Sequence, residues 1–128
     1  MSVIPASHLD LLERPLFGHL ATLRPDGTPQ VNPVWYRWDG ELLWFTTTTT
    51  RFKYRNLKGN PNAALSVNDP ERPYRYLEVR GTVERIEEDH DAVGFLALAH
   101  RYDPEFPPPG DAPDRMVVGI RPHHTSCQ

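Results

Sequence analysis

Residues 46–59 read TTTTTRFKYRNLKG, five threonines and four cations with no carboxylate among fourteen positions. The preceding ELLWFTTT reads as a strand that runs into Thr50, an acceptable N-cap. Residues 51–58 then make two turns of helix, with Gly59 as a left-handed C-cap and Pro61 beyond it. Arg51 and Lys53 fall in the first turn, where the macrodipole is positive and a cation is disfavoured by roughly 0.3–1 kcal/mol. An anion would reverse that sign. A phosphate at this point would meet free backbone N–H groups, threonine hydroxyls and two cations together. The alternative is a solvated helix whose cations pair with carboxylates such as Glu71 or Glu84, since threonine runs are also good strand formers. From the residues alone both readings stand.

Other reactive side chains give weaker signals. His123 and His124 with Cys127 do not read as a metal site, because adjacent histidines do not readily share a strand face and the tail is short and polar. No metal site is expected. No Ser-His-Asp set and no paired carboxylates are evident. Tyr36, Tyr76 and His19 are candidate proton donors, and also ordinary packed strand residues. Trp35, Trp38 and Trp44 could stack on a planar ligand, or serve the core or a dimer contact.

The composition narrows the partners. A formal charge of −3 and a pI of about 6.0 argue against general affinity for nucleic acid, so the partner of the basic stretch should be small and local. A single cysteine excludes an internal disulfide, and no signal peptide or long apolar run is recognisable. The expectation is a soluble cytoplasmic protein with no membrane partner. The 128 residues form one expected domain, long enough to bury roughly two-thirds of the unfolded surface.

The elements that must position these residues follow from turn chemistry and period. In ASHLDLLERP, Ser7 can cap a short helix carrying Leu9, Leu11 and Leu12 before Pro15 ends it. FGHLATLR ends in Pro25-Asp26-Gly27, PQVNPVWYRW ends in Asp39-Gly40, and ELLWFTT follows, which reads as a three-strand antiparallel meander. NAALSVND and YRYLEVRGTVERIEED are a fourth and a long fifth strand joined by a turn at 70–73. In the fifth, Leu77, Val79, Gly81 and Val83 alternate with polar residues, and Gly81 predicts a bend where the sheet curls. Residues 89–102 read as a helix capped by Asp89 or Asp91, with Val93, Leu96, Ala97 and His100 on one face. The proline-rich 104–113 reads as a connector or a lid, and DRMVVGIRP as a sixth strand. Six strands without βαβ alternation make an α+β, barrel-like fold.

The order of ATLRPDGTPQVNPVWYRWDGELLWFTTTTTRFKYRNLKGNPNAALSV and then YLEVRGTVE resembles the split β-barrel flavoprotein family that includes pyridoxamine 5′-phosphate oxidase. More narrowly, it is similar to the small branch dependent on the deazaflavin coenzyme F420. The resemblance spans residues 15–90 and continues weakly through the last strand. It implies a six-stranded antiparallel split barrel (the FMN-binding split barrel) with short helices, homodimeric, with two cofactor sites at the subunit interface. By resemblance, Arg51 and Lys53 hold the cofactor phosphate. Asn32, Pro33 and Val34 lie beside the ring, with Thr46 and Thr47 opposite. Arg55 and Asn56 are outer contacts, and Gln30 and Tyr76 come from the other subunit.

Departures from the family pattern separate the branches. The oxidase that makes pyridoxal phosphate is longer and carries an arginine-rich C-terminal signature, whereas this chain ends in RPHHTSCQ, so that activity is not expected. The deazaflavin extends past its phosphate into an oligoglutamate tail, and Arg55, Lys58 and Arg24 would supply cations along it. The resemblance therefore implies an F420-dependent reductase that passes hydride to an activated double bond of a small acceptor, such as an enone or a quinone-like compound. The alternatives are an FMN-binding oxidoreductase of the same fold and a non-catalytic flavin or deazaflavin carrier.

Overall fold

In the computed structural model, which describes residues 3–128, two glycine turns shape the first half of the sheet. Gly27 (φ +85°) and Gly40 (φ +98°) occupy the left-handed region, where a side chain is disfavoured, and each reverses the chain at the turn predicted for it. The first turn joins β1 (Gly18–Leu23) to β2 (Pro29–Val34), with Leu23 opposite Pro29 and Gly18 opposite Val34. The second joins β3 (Arg37–Trp38) to β4 (Leu43–Thr48).

The single strand expected over PQVNPVWYRW is two strands, so the sheet has seven strands and not six. The break has a local cause. The backbone N–H of Tyr36 donates to the hydroxyl of Tyr102 (3.1 Å) instead of to a neighbouring strand, and its ring drops into the core with its own hydroxyl on the carbonyl of Leu11 (2.5 Å).

Helix α2 (Phe52–Gly59) follows β4, then come β5 (Asn62–Asp69), β6 (Arg72–Glu88), helix α3 (Val93–Tyr102) and β7 (Arg115–Cys127). The strand order is β2-β1-β5-β6-β7-β4-β3, with every neighbouring pair antiparallel, and the sheet curls into a half-barrel. Its interior is filled by Leu20, Leu43, Phe45, Leu65, Val67, Leu77, Val79 and Val118. Leu11 and Leu12 of α1 (Asp10–Glu13) close one side, and Leu57 of α2 closes another. Curling needs a bend, and the β6–β7 ladder shifts register at Arg80/Gly81 and again at Val83/Arg85. A Cβ on Gly81 would lie 2.1 Å from the carbonyl oxygen of Arg121, so only glycine fits there.

Several local expectations are corrected. Ser7 caps no helix: it sits in a 3-10 turn (Ala6–His8), and its hydroxyl bonds to His8 Nδ1 (2.8 Å). Helix α2 starts after Arg51, not after Thr50, because the Thr50 hydroxyl is engaged by that of Thr48 (2.9 Å) and no side chain caps the helix. Gly59 is the last helical residue and is not left-handed; Asn60 leads the chain out in extended conformation. Helix α3 starts at Val93, and its buried face is Phe95, Leu98 and Ala99, whereas Val93, Ala97 and His100 are exposed. The C-terminal tail is not a loose end. It continues β7, pairing Cys127 with Leu77, and Gln128 and Tyr76 exchange both backbone bonds. Among the described residues no helix is long and apolar enough to cross a membrane.

Candidate functional site

Alternation along β4 divides the threonine run. Leu43, Phe45 and Thr47 point into the barrel, each about 2% exposed, and Trp44, Thr46 and Thr48 lie on the other face. Thr46 therefore opens onto a cleft, while Thr47 is interior, its hydroxyl buried without a hydrogen-bond partner among the described residues. Thr48 faces Arg115 across the β4–β7 ladder, and Arg115 Nη1 reaches back toward the Thr46 hydroxyl (3.4 Å).

The cleft has a volume of about 370 Å³. Pro33, Val34 and Trp35 form one wall at the end of β2, and Phe17 extends it. Phe95 of α3 and Phe106 of the proline-rich loop line the cleft as well. Trp35 clusters with them, edge-on to Phe106 (5.0 Å) and tilted against Phe95 (5.9 Å), and it is stacked on Tyr102 (5.5 Å, 21°). Thr46, Lys53 and Arg115 supply the polar lining. The space is thus lined by an aromatic cluster and by cations, which meet where the Arg115 guanidinium lies over Phe95.

The charge of these cations is unbalanced. Lys53 is half-buried, and its ammonium is pulled below the usual lysine range first by burial and then by repulsion from Arg51 and Arg115. Among the described residues neither Lys53 nor Arg51 is ion-paired. Glu84, one of the candidate partners, is engaged two-pronged by Arg121 (2.7 and 2.9 Å). Asp111 is the carboxylate near the cleft, and Arg115 holds it below the usual carboxylate range through two hydrogen bonds (2.8 and 3.1 Å). Burial without a counter-ion raises the free energy of Lys53, and an incoming anion would lower it.

Of the residues expected to bind a cofactor, Pro33, Val34, Thr46 and Lys53 come together in the cleft. Arg51 caps α2 in the open, beside it. Arg55 is exposed and lies over the Phe52 ring (5.7 Å). Asn56 is not an outer contact. It is 5% exposed and donates to Thr22 Oγ1 (3.0 Å) and Gln30 Oε1 (3.2 Å), and Gln30 in turn donates to Asn32 Oδ1 (2.7 Å). Gln30 is thereby held within its own chain, and Asn32 is oriented by it, on the same face of β2 as Val34. Tyr76 takes no part in the cleft; it lies opposite Asn68 on β5. Tyr36 and His19 do not line the cleft either, and burial pushes the Tyr36 phenol far above its ordinary range.

Arg115, Phe95, Phe106 and Phe17 were not legible as site residues. Arg115 reaches the cleft through the pairing of β4 with β7, which joins residues nearly seventy positions apart, and Phe106 sits in a segment without period.

The sequence profile described as pyridoxamine 5′-phosphate oxidase matches residues 4–127. The chain belongs to that family. Among solved structures of its fold, one named F420 reductase is 57% identical over 96% of this chain and 98% of its own, with a TM-score of 0.93. A conserved hypothetical protein from Mycobacterium tuberculosis is 25% identical over 98% of this chain and 84% of its own, with a TM-score of 0.77. General Stress Protein 26 from Bacillus anthracis shares the fold at 21% identity, covering 94% of this chain and 93% of its own with a TM-score of 0.72.

Proposed function

We propose that the protein is an oxidoreductase that binds coenzyme F420 and passes a hydride from its reduced form to an activated double bond of a small organic acceptor, such as an enone or a quinone-like compound. The observation that carries this reading is the 57% identity, over nearly the whole chain, to a structure named F420 reductase. The cleft fits such a group in kind and in size. Its volume of about 370 Å³ lies in the range of small-molecule sites, roughly 300–1,000 Å³. An unpaired, half-buried lysine beside an exposed arginine suits a phosphate, and the aromatic lining suits a flat ring.

In this reading Lys53 and Arg51 hold the phosphate through charge-assisted bonds, with the Thr46 hydroxyl on the same side of the cleft. Pro33, Val34 and Trp35 support one face of the ring, and Asn32, oriented by Gln30, lies beside them. Arg55 and Lys58, exposed on α2, extend the positive track toward an acidic tail. When bound, the reduced coenzyme supplies the hydride. The residues of the chain contribute position and exclusion of water. The titratable side chains that line the cleft within one chain are cationic, and Tyr36 and His19 lie elsewhere, so the chain's own cleft leaves delivery of the proton to water at its mouth. A homodimer, with a site in each inter-subunit cleft, completes the proposal and would bring Tyr76 to its partner's site.

The test is a fluorescence titration of metal-free protein with oxidised coenzyme F420 and, in parallel, with FMN, followed by a turnover assay with reduced coenzyme and an enone. Micromolar or tighter binding of F420, weak binding of FMN and acceptor-dependent oxidation are expected. Preference for FMN would move the protein to the flavin branch, and binding without turnover of any acceptor would make it a carrier.

A further inference from the structure

Arg115 occupies an unusual position among the cations of the cleft. Asp111 grips it along one edge, Oδ1 accepting from Nε (2.8 Å) and Oδ2 from Nη2 (3.1 Å), a side-on pair with a defined plane. The guanidinium also lies over the ring of Phe95, 4.6 Å from its centroid. Only the Nη1 edge remains, and it points toward Thr46 Oγ1 (3.4 Å) on the cleft side. The Arg115 side chain is 14% exposed, against 42% for Asp111, so the carboxylate takes the solvent side of the pair.

This fixing differs from the state of the other two cations. Arg51 is exposed and Lys53 has no partner among the described residues, so both are free to follow a phosphate. Arg115 is immobilised in plane and in direction by a carboxylate from the proline-rich loop and an aromatic face from α3. It also stands beside the aromatic cluster, over Phe95, which meets Phe106 (5.8 Å) and Trp35 (5.9 Å). A rigid planar donor beside an aromatic cluster is shaped for the edge of a flat molecule, not for a tetrahedral anion at the end of a flexible chain.

We propose that Arg115, held by Asp111, binds an oxygen on the polar rim of the flat ring that occupies the cleft, and that it does so independently of the phosphate contacts at Lys53 and Arg51. The inference deepens the deazaflavin reading above and rests on it. It also gives the proline-rich loop a part in the site. Phe106 supplies a wall, and Asp111, four residues before Arg115, positions the donor.

Two probes separate this role from phosphate binding: oxidised coenzyme F420 and its phosphate-free core, the deazaflavin ring on its ribityl chain. Dissociation constants are measured by fluorescence quenching for wild type, Lys53→Met, Arg115→Met and Arg115→Lys. Arg115→Met should weaken both probes by the same factor, about tenfold or more for loss of a charged hydrogen bond. Lys53→Met should weaken F420 and leave the core unchanged. Arg115→Lys keeps the charge but not the fork, and should fall between wild type and Arg115→Met for both probes. If Arg115→Met is unfolded by circular dichroism, the lysine variant carries the same comparison. Weakening of F420 alone would assign Arg115 to the phosphate set and overturn the proposal, and so would an Arg115 variant that binds both probes as wild type does. Wild-type protein that binds F420 but not the core would also overturn it. Wild type that binds neither would overturn the cofactor reading itself, a result distinct from the other three.

Discussion

Lys53 carries a cost in the free protein that its ligand would remove. Its ammonium is half-buried, faces Arg51 and Arg115, and has no carboxylate within ion-pair distance among the described residues. A cation whose pKa is lowered on folding opposes folding at every pH where the unfolded lysine is charged, and the penalty fades only as pH rises through the lowered value and then the ordinary one. Lys53→Met should therefore leave the melting temperature of the ligand-free protein no lower than wild type, while weakening F420 binding by more than about 1 kcal/mol. Parallel thermal melts and titrations check both halves, and wild-type affinity should fall as pH rises from neutral toward the ordinary lysine range. This residue was legible in the sequence because a cation in the first turn of a helix conflicts with the macrodipole. Thr47 was not. Neighbouring threonines in a strand look alike in sequence, and which of them faces the cleft depends on a parity that only the packed sheet fixes.

At the scale of elements, the parts that were legible are those governed by local chemistry, namely the two glycine turns, the long alternating strand and its bend at Gly81. The bend is the most demanding of these, because two backbones approach each other there. A methyl group would meet the carbonyl oxygen and carbon of Arg121 at 2.1 and 2.8 Å, and neither atom can swing away as a side chain does. Gly81→Ala should cost about 3 kcal/mol, at the upper end for overpacking. Urea unfolding measures it, and a loss below about 1 kcal/mol would mean that the ladder can slide at this point. The helix after β6 shows the limit of local reading. Asp89 or Asp91 was legible as its cap, and both serve: Asp89 accepts from the N–H groups of Gly94 and Phe95 (2.8 Å each) and Asp91 from that of Val93 (3.2 Å). Asp89→Ala should destabilise the protein by about 1–2 kcal/mol. The buried face of α3 is not the expected one, because Phe95 and Ala99 pack into the aromatic cluster around Trp35, a partner that the helix's own period does not reveal.

At the scale of the whole molecule, one placement remains unexplained within a single chain. Tyr76 belongs to the expected cofactor set, yet it lies at the start of β6 opposite Asn68, with its backbone paired to the C-terminal residue, and it does not line the cleft of its own chain. Large apolar side chains are exposed at Phe17, Val31, Phe52 and Val93, surface that association would cover favourably. Both facts are accounted for if two copies associate and each lends Tyr76 to the other. Sedimentation should then give twice the chain mass of 14.7 kDa. A mixing experiment decides where Tyr76 acts. Chains carrying Lys53→Met and chains carrying Tyr76→Ala each bind F420 weakly when pure. In a mixed dimer, one cleft combines both defects, and the other combines an intact Lys53 from the Tyr76→Ala chain with an intact Tyr76 from the Lys53→Met chain. Unfolding and refolding the two together should therefore restore a population of full-affinity sites. If Tyr76 acted within its own chain, every cleft in the mixture would keep one defect, and no tight binding would return.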